Sequence, residues 1–274
     1  MNNIILVPTD FSELCMNALR QAVDLAYKLN YKVVLLHVKN PDTIAYYKKS
    51  LSDDLIIKKL TSLKNEIKNI SKVNVEYIYK EGSIYTVISE VAKKINVNFV
   101  VFGSRGKTGI QHLTDDYAIK IMKSLKNPCI SVSEKFISLE SNNIVVPINI
   151  YYDKGICIDW IVYIAKLFNA KIHLYVQNIQ RNDLIEKETE ILNIIKNIFD
   201  FNSIKYLIVR HIKGTDLCEQ ILNYSITNNA DMIMLFTSEK KSVSKHILNP
   251  WNSDLIFNKA GIPVICANPR KLRF

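Results

Sequence analysis

The chain has 274 residues, 48% of them apolar, 23% charged and 9% aromatic, with only 7 Gly and 7 Pro. That balance belongs to a globular protein and excludes disordered, collagenous and low-complexity classes. The formal net charge of +10 comes from lysines spread along helical faces, such as Lys58, Lys59, Lys64 and Lys68, with acids interleaved. It reads as a solvated surface and not as a nucleic-acid stripe.

The length suits one large domain or two of ordinary size. No apolar run reaches the roughly 18 residues that cross a bilayer. The opening MNNIILVPTDFSE does not read as a secretion signal, so a cytoplasmic location is expected. Five cysteines stand without any C-x-x-C pair or zinc spacing, which argues against a disulfide framework or a metal knuckle.

Taken in chain order, the first element is an apolar run, NNIILVP, closed by Pro8, as expected of a buried strand. A helix follows, with Asp10 and Glu13 placed for a capping box. Its apolar stripe runs through Cys15, Ala18, Leu19, Ala22, Leu25, Ala26 and Leu29. Next come a strand KVVLLHV up to Val38, a helical segment around Leu55 to Ile70, and a strand VEYIY leading to Gly82. A helix over Ile84 to Lys94, a strand FVVF, a glycine-bearing loop and a last strand CISV complete the set.

The same order then repeats: NNIVVP to Pro147, a helix through Trp160, Ile161 and Ile164, and KIHLYV to Val176. A helix around Leu184 to Ile198, KYLIV, Gly214, a helix over Leu217 to Asn228, MIMLF and VICA follow. Pro8 and Pro147, Gly82 and Gly214, and Pro128 and Pro263 recur at offsets between 132 and 139 residues. A steady offset across many elements is the mark of duplication. Alternating strands and helices predict an α/β fold of two tandem doubly wound domains, each a five-stranded parallel sheet with helices on both faces. The boundary is placed in the polar stretch SLESNN, giving domains 1–137 and 138–274.

Ligands of open parallel sheets bind beyond the carboxyl ends of the strands. In the first domain that edge gathers Pro8, Thr9 and Asp10 after strand one, His37 and Val38 at the end of strand two, and GSRGKTG, Gly103 to Gly109. This loop holds three of the 7 glycines. Glycine lets backbone N–H groups approach a phosphate, and Arg105 and Lys107 add positive charge. No Walker loop is formed, because Val101 stands where its first glycine belongs, and no G-x-G-x-x-G follows the first strand. His37 reads as a satisfied, partly buried histidine, and no nucleophile with its base can be identified.

The features ILVPTD, LLHV, Gly82, FVVFGSRGKTG and NPCISV resemble the universal stress proteins, in order across residues 1–137 and more weakly across 138–274. The resemblance implies a five-stranded nucleotide-binding α/β fold, ATP or AMP as ligand, and dimerisation through the last strand. It points to Pro8, Thr9, Asp10, Val38, Gly103, Ser104, Arg105 and Gly106 as cofactor-binding residues, with no catalytic and no metal residue. The family's phosphate motif is Gly-x2-Gly-x9-Gly-Ser/Thr. Gly103 and Gly106 match it, but Asp116 and Tyr117 stand where Gly-Ser belongs. A carboxylate there opposes a polyphosphate.

In the second domain Asn149, Phe236 and Glu239 replace Asp10, Gly103 and Gly106, so no nucleotide is expected there. The resulting expectation is a non-enzymatic stress-response regulator with a weak adenine-nucleotide site in its first domain. A nucleotide-independent interaction scaffold and a weak ATPase remain as alternatives. The expected partners are an adenine nucleotide and a protein. The strands CISV and VICA are expected to pair across a pseudo-twofold axis or with another chain, removing an exposed sheet edge. Neither nucleic acid nor a membrane is expected as a partner.

Overall fold

The computed structural model describes residues 2–40, 52–103, 121–122, 125, 127–133, 142–148, 156–176, 182–210, 216–236 and 253–268. The chain divides into two compact units, Met1–Leu139 and Glu140–Phe274.

In the first unit β1 (Ile4–Pro8), α1 (Glu13–Leu29), β2 (Lys32–Lys39), α2 (Asp53–Ile70), β3 (Val75–Glu81), α3 (Ile84–Lys94), β4 (Phe99–Gly103) and β5 (Cys129–Val132) follow in order. All strand pairs are parallel, in the spatial order β3-β2-β1-β4-β5. The chain therefore steps outward from β1 to β3, then crosses back and steps the other way. The reversal falls between β1 and β4, and their carboxyl ends flank the crevice where this fold takes its ligands.

The second unit repeats the plan with β6 (Asn143–Ile148), α4 (Ile156–Phe168), β7 (Lys171–Val176), α5 (Asn182–Phe201), β8 (Tyr206–Arg210), α6 (Leu217–Thr227), β9 (Met232–Phe236), a short α7 (Ser253–Ile256) and β10 (Val264–Ala267). Its order is β8-β7-β6-β9-β10, again parallel throughout. The registers match: Pro8 faces Leu36 across β1 and β2, and Pro147 faces Tyr175 across β6 and β7.

The central strands are buried because both faces are covered, and their composition shows it. Ile5, Leu6 and Val7 in β1 and Phe99, Val100 and Val101 in β4 are fully shielded, as are Ile144, Val145 and Val146 in β6. Helix α1 lays Ala18, Leu19, Ala22, Leu25 and Ala26 into this core, the stripe expected from spacings of three and four. Both first helices end in a left-handed asparagine, Asn30 at φ 55 and Asn169 at φ 50. In each, the following amide returns to the helix, Tyr31 N to Ala26 O at 2.8 Å and Ala170 N to Ala165 O at 2.9 Å. This is the αL termination that asparagine tolerates better than most residues.

The start of α1 differs from the expected capping box. Ser12 is the N-cap, its hydroxyl accepting from Cys15 N at 3.3 Å. Asp10 instead accepts from Ser12 N at 2.7 Å, an Asx-turn two residues long that shapes the loop before the helix begins.

Candidate functional site

Strand β1 delivers its loop to the carboxyl edge. Thr9 and Asp10 are buried, at 6% and 5% exposure. The Thr9 amide donates to Leu36 O at 2.8 Å, tying the loop to β2. Phe11 then adopts φ 67, a left-handed conformation that costs a bulky residue on the order of 1–3 kcal/mol. Two contacts hold it. Its amide donates to Thr9 Oγ1 at 3.1 Å, and its ring stacks on His37 with centroids 4.8 Å apart.

His37, near the end of β2, is almost wholly buried. Its Nδ1 lies 2.9 Å from Thr9 O. A carbonyl only accepts, so Nδ1 carries the proton and Nε2 keeps its lone pair. That Nε2 is shielded and has no hydrogen-bond partner among the described residues. Burial pushes the pKa of His37 down, and the Lys59 ammonium adds to this; the Thr9 carbonyl and the Asp10 carboxylate pull the other way. Lys59 reaches over from α2 and sits 5.2 Å from the centre of the Phe11 ring, a cation–π contact. Tyr79 of β3 also stacks with His37, the ring centroids 6.1 Å apart.

Cys15 lies in the first turn of α1. Burial and the Asp10 carboxylate push its pKa up to about 12, so it stays a thiol near neutral pH. Val38 is buried and pairs with Lys80 of β3. Beyond it Lys39 O accepts from Gly82 N at 3.0 Å. Gly82 has φ 139, a backbone conformation that only glycine takes without strain.

Gly103 closes β4. A Cβ there would run into the Leu14 side chain and stand 2.9 Å from Leu14 O. Glycine at this point lets the first turn of α1 lie directly against the end of β4. Pro8, Thr9, Asp10, Val38 and Gly103 thus all stand along one edge of the sheet. Ser104, Arg105, Gly106, Asp116 and Tyr117 lie outside the described residues, as do Asn149, Glu239 and Gly214.

At the matching register of the second unit, where Gly103 pairs with Val132 and Phe236 with Ala267, Phe236 is buried, at 3% exposure. A bulky side chain thus stands at the register where the first unit admits only glycine. His173 of β7 is occupied otherwise, its Nδ1 2.8 Å from the Tyr224 hydroxyl and its Nε2 3.3 Å from Asn143 Oδ1. Among the described residues no group of three or more His, Cys, Asp or Glu side chains is placed to hold a metal ion. None of the described helices is long and apolar enough to cross a membrane.

The stack of Phe11, His37 and Tyr79 with Lys59 above it escaped the sequence reading. Only the aromatic in TDFS hinted at it, because the contact with α2 joins residues far apart in the chain.

The fold and this edge define a doubly wound α/β protein whose first unit gathers a buried loop and a strand-closing glycine at the carboxyl ends of its strands. Residues 1–132 match the model of the universal stress protein family, so the chain carries a universal stress protein domain in its first half. A universal stress protein of Methanocaldococcus jannaschii is 26% identical over 138 residues, 47% of this chain and 81% of that protein. Over the whole chain, the fold is similar to that of a universal stress protein from Archaeoglobus fulgidus, at TM-score 0.74 and 17% identity, covering 98% of this chain and 99% of the other. It is also similar to the cytoplasmic domain of a prokaryotic cation chloride cotransporter, at TM-score 0.57 and 14% identity, covering 97% and 95%.

Proposed function

We propose that this protein is a non-enzymatic regulator of the stress-response type, whose first unit holds an adenine nucleotide along the carboxyl edge of β1, β2 and β4. One observation carries the reading. Gly103 lets the first turn of α1 close onto the end of β4, next to β1 and its buried Thr9–Asp10 loop at the switch in strand order, whereas Phe236 stands at the same register in the second unit. The second unit then serves as a copy without nucleotide. Asp116 opposes a polyphosphate, so AMP is bound at least as tightly as ATP. Cys15 is held as a thiol and offers no thiolate, which is in keeping with a binding role.

A second reading is favoured by the same glycine. Contact with Leu14 is enough to require Gly103 on packing grounds alone, and a nucleotide-independent interaction scaffold would keep it too. Calorimetric titration of the full chain with ATP, ADP and AMP separates the two. One site per chain, lost on Arg105→Glu and retained on Lys240→Glu in the second unit, is the expected result. No heat, and no nucleotide carried through purification, would leave the scaffold reading standing.

A further inference from the structure

On the face of the first unit covered by α1 and α2, the valley between the two helices opens into a groove of about 840 Å³. Its floor is apolar, formed by Leu19 and Val23 of α1 and Leu63 and Ile67 of α2. Tyr27 and Ile70 stand at its mouth, 62% and 77% exposed. Arg20 approaches from α1, and Lys68 and Lys72 approach from the end of α2.

The charges at this rim are unbalanced. Asp24 is tied to Lys28 at 3.1 Å, which leaves Glu66 to face three cations. Arg20, Lys68 and Lys72 make no ion pair among the described residues. Lys68 is explained in any case by the negative end of the α2 dipole. Lys72, directly after the C-cap, stands at the same negative end, whereas Arg20, midway along α1, has no such explanation.

The second unit offers an internal comparison. The left-handed Asn30 and Asn169 align the ends of α1 and α4, so Lys166 takes the place of Tyr27. Lys166 spans the valley, its ammonium donating to Asn202 Oδ1, just past α5, at 2.6 Å. Phe199, in the last turn of α5, is fully buried there. The first unit has the smaller Ile67 in the last turn of α2 and no bridge at Tyr27.

We infer that the α1–α2 groove of the first unit is a second binding site, separate from the strand-end edge, for an amphipathic anion: an apolar chain or ring carrying one carboxylate or phosphate. The volume falls in the range of about 300–1,000 Å³ typical of sites for single small molecules. The apolar floor takes the chain, and Arg20, Lys68 and Lys72 take the acid group. A docked protein needs a contact of about 800 Å² on each side, a far broader surface than this valley.

The test uses dodecanoate below its critical micelle concentration, titrated into the full chain by calorimetry, with dodecanol as the neutral control. One saturable site is expected, with dodecanol at least tenfold weaker. Arg20→Glu combined with Lys68→Glu should weaken dodecanoate at least tenfold, and Val23→Trp, which fills the groove, should abolish binding. Circular dichroism checks the fold of each variant, and the charge pair keeps the test valid should the tryptophan disturb packing. Equal affinity for dodecanol, indifference to both variants, or no saturation overturns the proposal. Self-association that Val23→Trp removes, in a chain that ignores dodecanoate, also overturns it and makes the groove an interface between copies.

Discussion

Phe11 lies over His37 with the two rings 4.8 Å apart and inclined by 23°, and the same Phe11 is held at φ 67. Backbone strain and ring stacking are therefore joined in one residue at the edge of the candidate site. Phe11→Ala removes the stack, worth about 0.5–1.5 kcal/mol beyond buried area, and keeps the left-handed cost. Phe11→Gly removes the same stack but takes that φ freely. Urea unfolding should find both variants less stable than the parent. The glycine variant should lead by about 0.5–1 kcal/mol after its looser unfolded chain is counted. An alanine variant as stable as the glycine one would show that no strain is stored there.

The buried His37 makes the first unit sensitive to acid. Its pKa lies below the ordinary 6.5, with burial the largest cause. Above 6.5 both folded and unfolded chains hold it neutral, and its environment costs nothing. As pH falls below that value the unfolded chain takes a proton that the folded one refuses, so stability drops until the folded pKa is passed. The Asp10 carboxylate and the Lys59 ammonium act on this position from the loop and from α2, and Asp53 accepts from the hydroxyl of the neighbouring Tyr79. His173 shifts in the same direction in the second unit, so the parent chain alone is ambiguous. The difference between parent and His37→Phe, followed by thermal unfolding from pH 7.5 to 5, isolates the site. A parent that loses no more stability than His37→Phe over this range would remove His37 from the account.

Gly103 faces Leu14 too closely for any side chain. Gly103→Ala should destabilise the first unit by about 1–3 kcal/mol, the usual range for overpacking. Leu14→Ala clears the side-chain clash but leaves Leu14 O at 2.9 Å from the new Cβ. The double variant should therefore recover part of the loss, and a double-mutant cycle in denaturant reads the coupling. Strict additivity would mean that the two residues do not meet.

Much of the fold was legible because its signals are local. Runs such as IILVP and NIVVP bury both faces and can only be central strands of a covered sheet. The stripe from Ala18 to Ala26 follows from helical spacing alone. The repeat was visible in Pro8 and Pro147, although the paired left-handed Asn30 and Asn169 were not read. The candidate site was legible only as a list of residues. Asp10 looked like a helix cap, because a carboxylate before a helix has two amides within reach, and only the folded loop shows that Ser12 takes the cap. The clash that makes Gly103 obligatory depends on Leu14, and the reach of Lys59 to Phe11 depends on how α2 packs. Contacts between distant segments leave no periodic trace in the chain.

The outermost strand of each unit is fastened to the neighbouring helix by different chemistry at one register. His37 faces Tyr79 across β2 and β3, and Val176 faces Arg210 across β7 and β8. Tyr79 donates its hydroxyl to Asp53 of α2 at 2.7 Å, whereas Arg210 bonds the carboxylate of Glu188 in α5 at 2.5 Å. Glu188 is the group at risk, since its side chain is 4% exposed while that of Arg210 is 55% exposed. Arg210→Ala strands a buried carboxylate, and the loss should reach about 1–3 kcal/mol, below the full cost of a sealed pair because water reaches the arginine side. Glu188→Leu removes the buried charge altogether and leaves an arginine free to turn outward. It should cost less than Arg210→Ala, and the double variant should lie close to Glu188→Leu alone. Chemical denaturation of the three chains checks the order. A larger loss for Glu188→Leu than for Arg210→Ala would mean that the carboxylate contributes through more than its arginine.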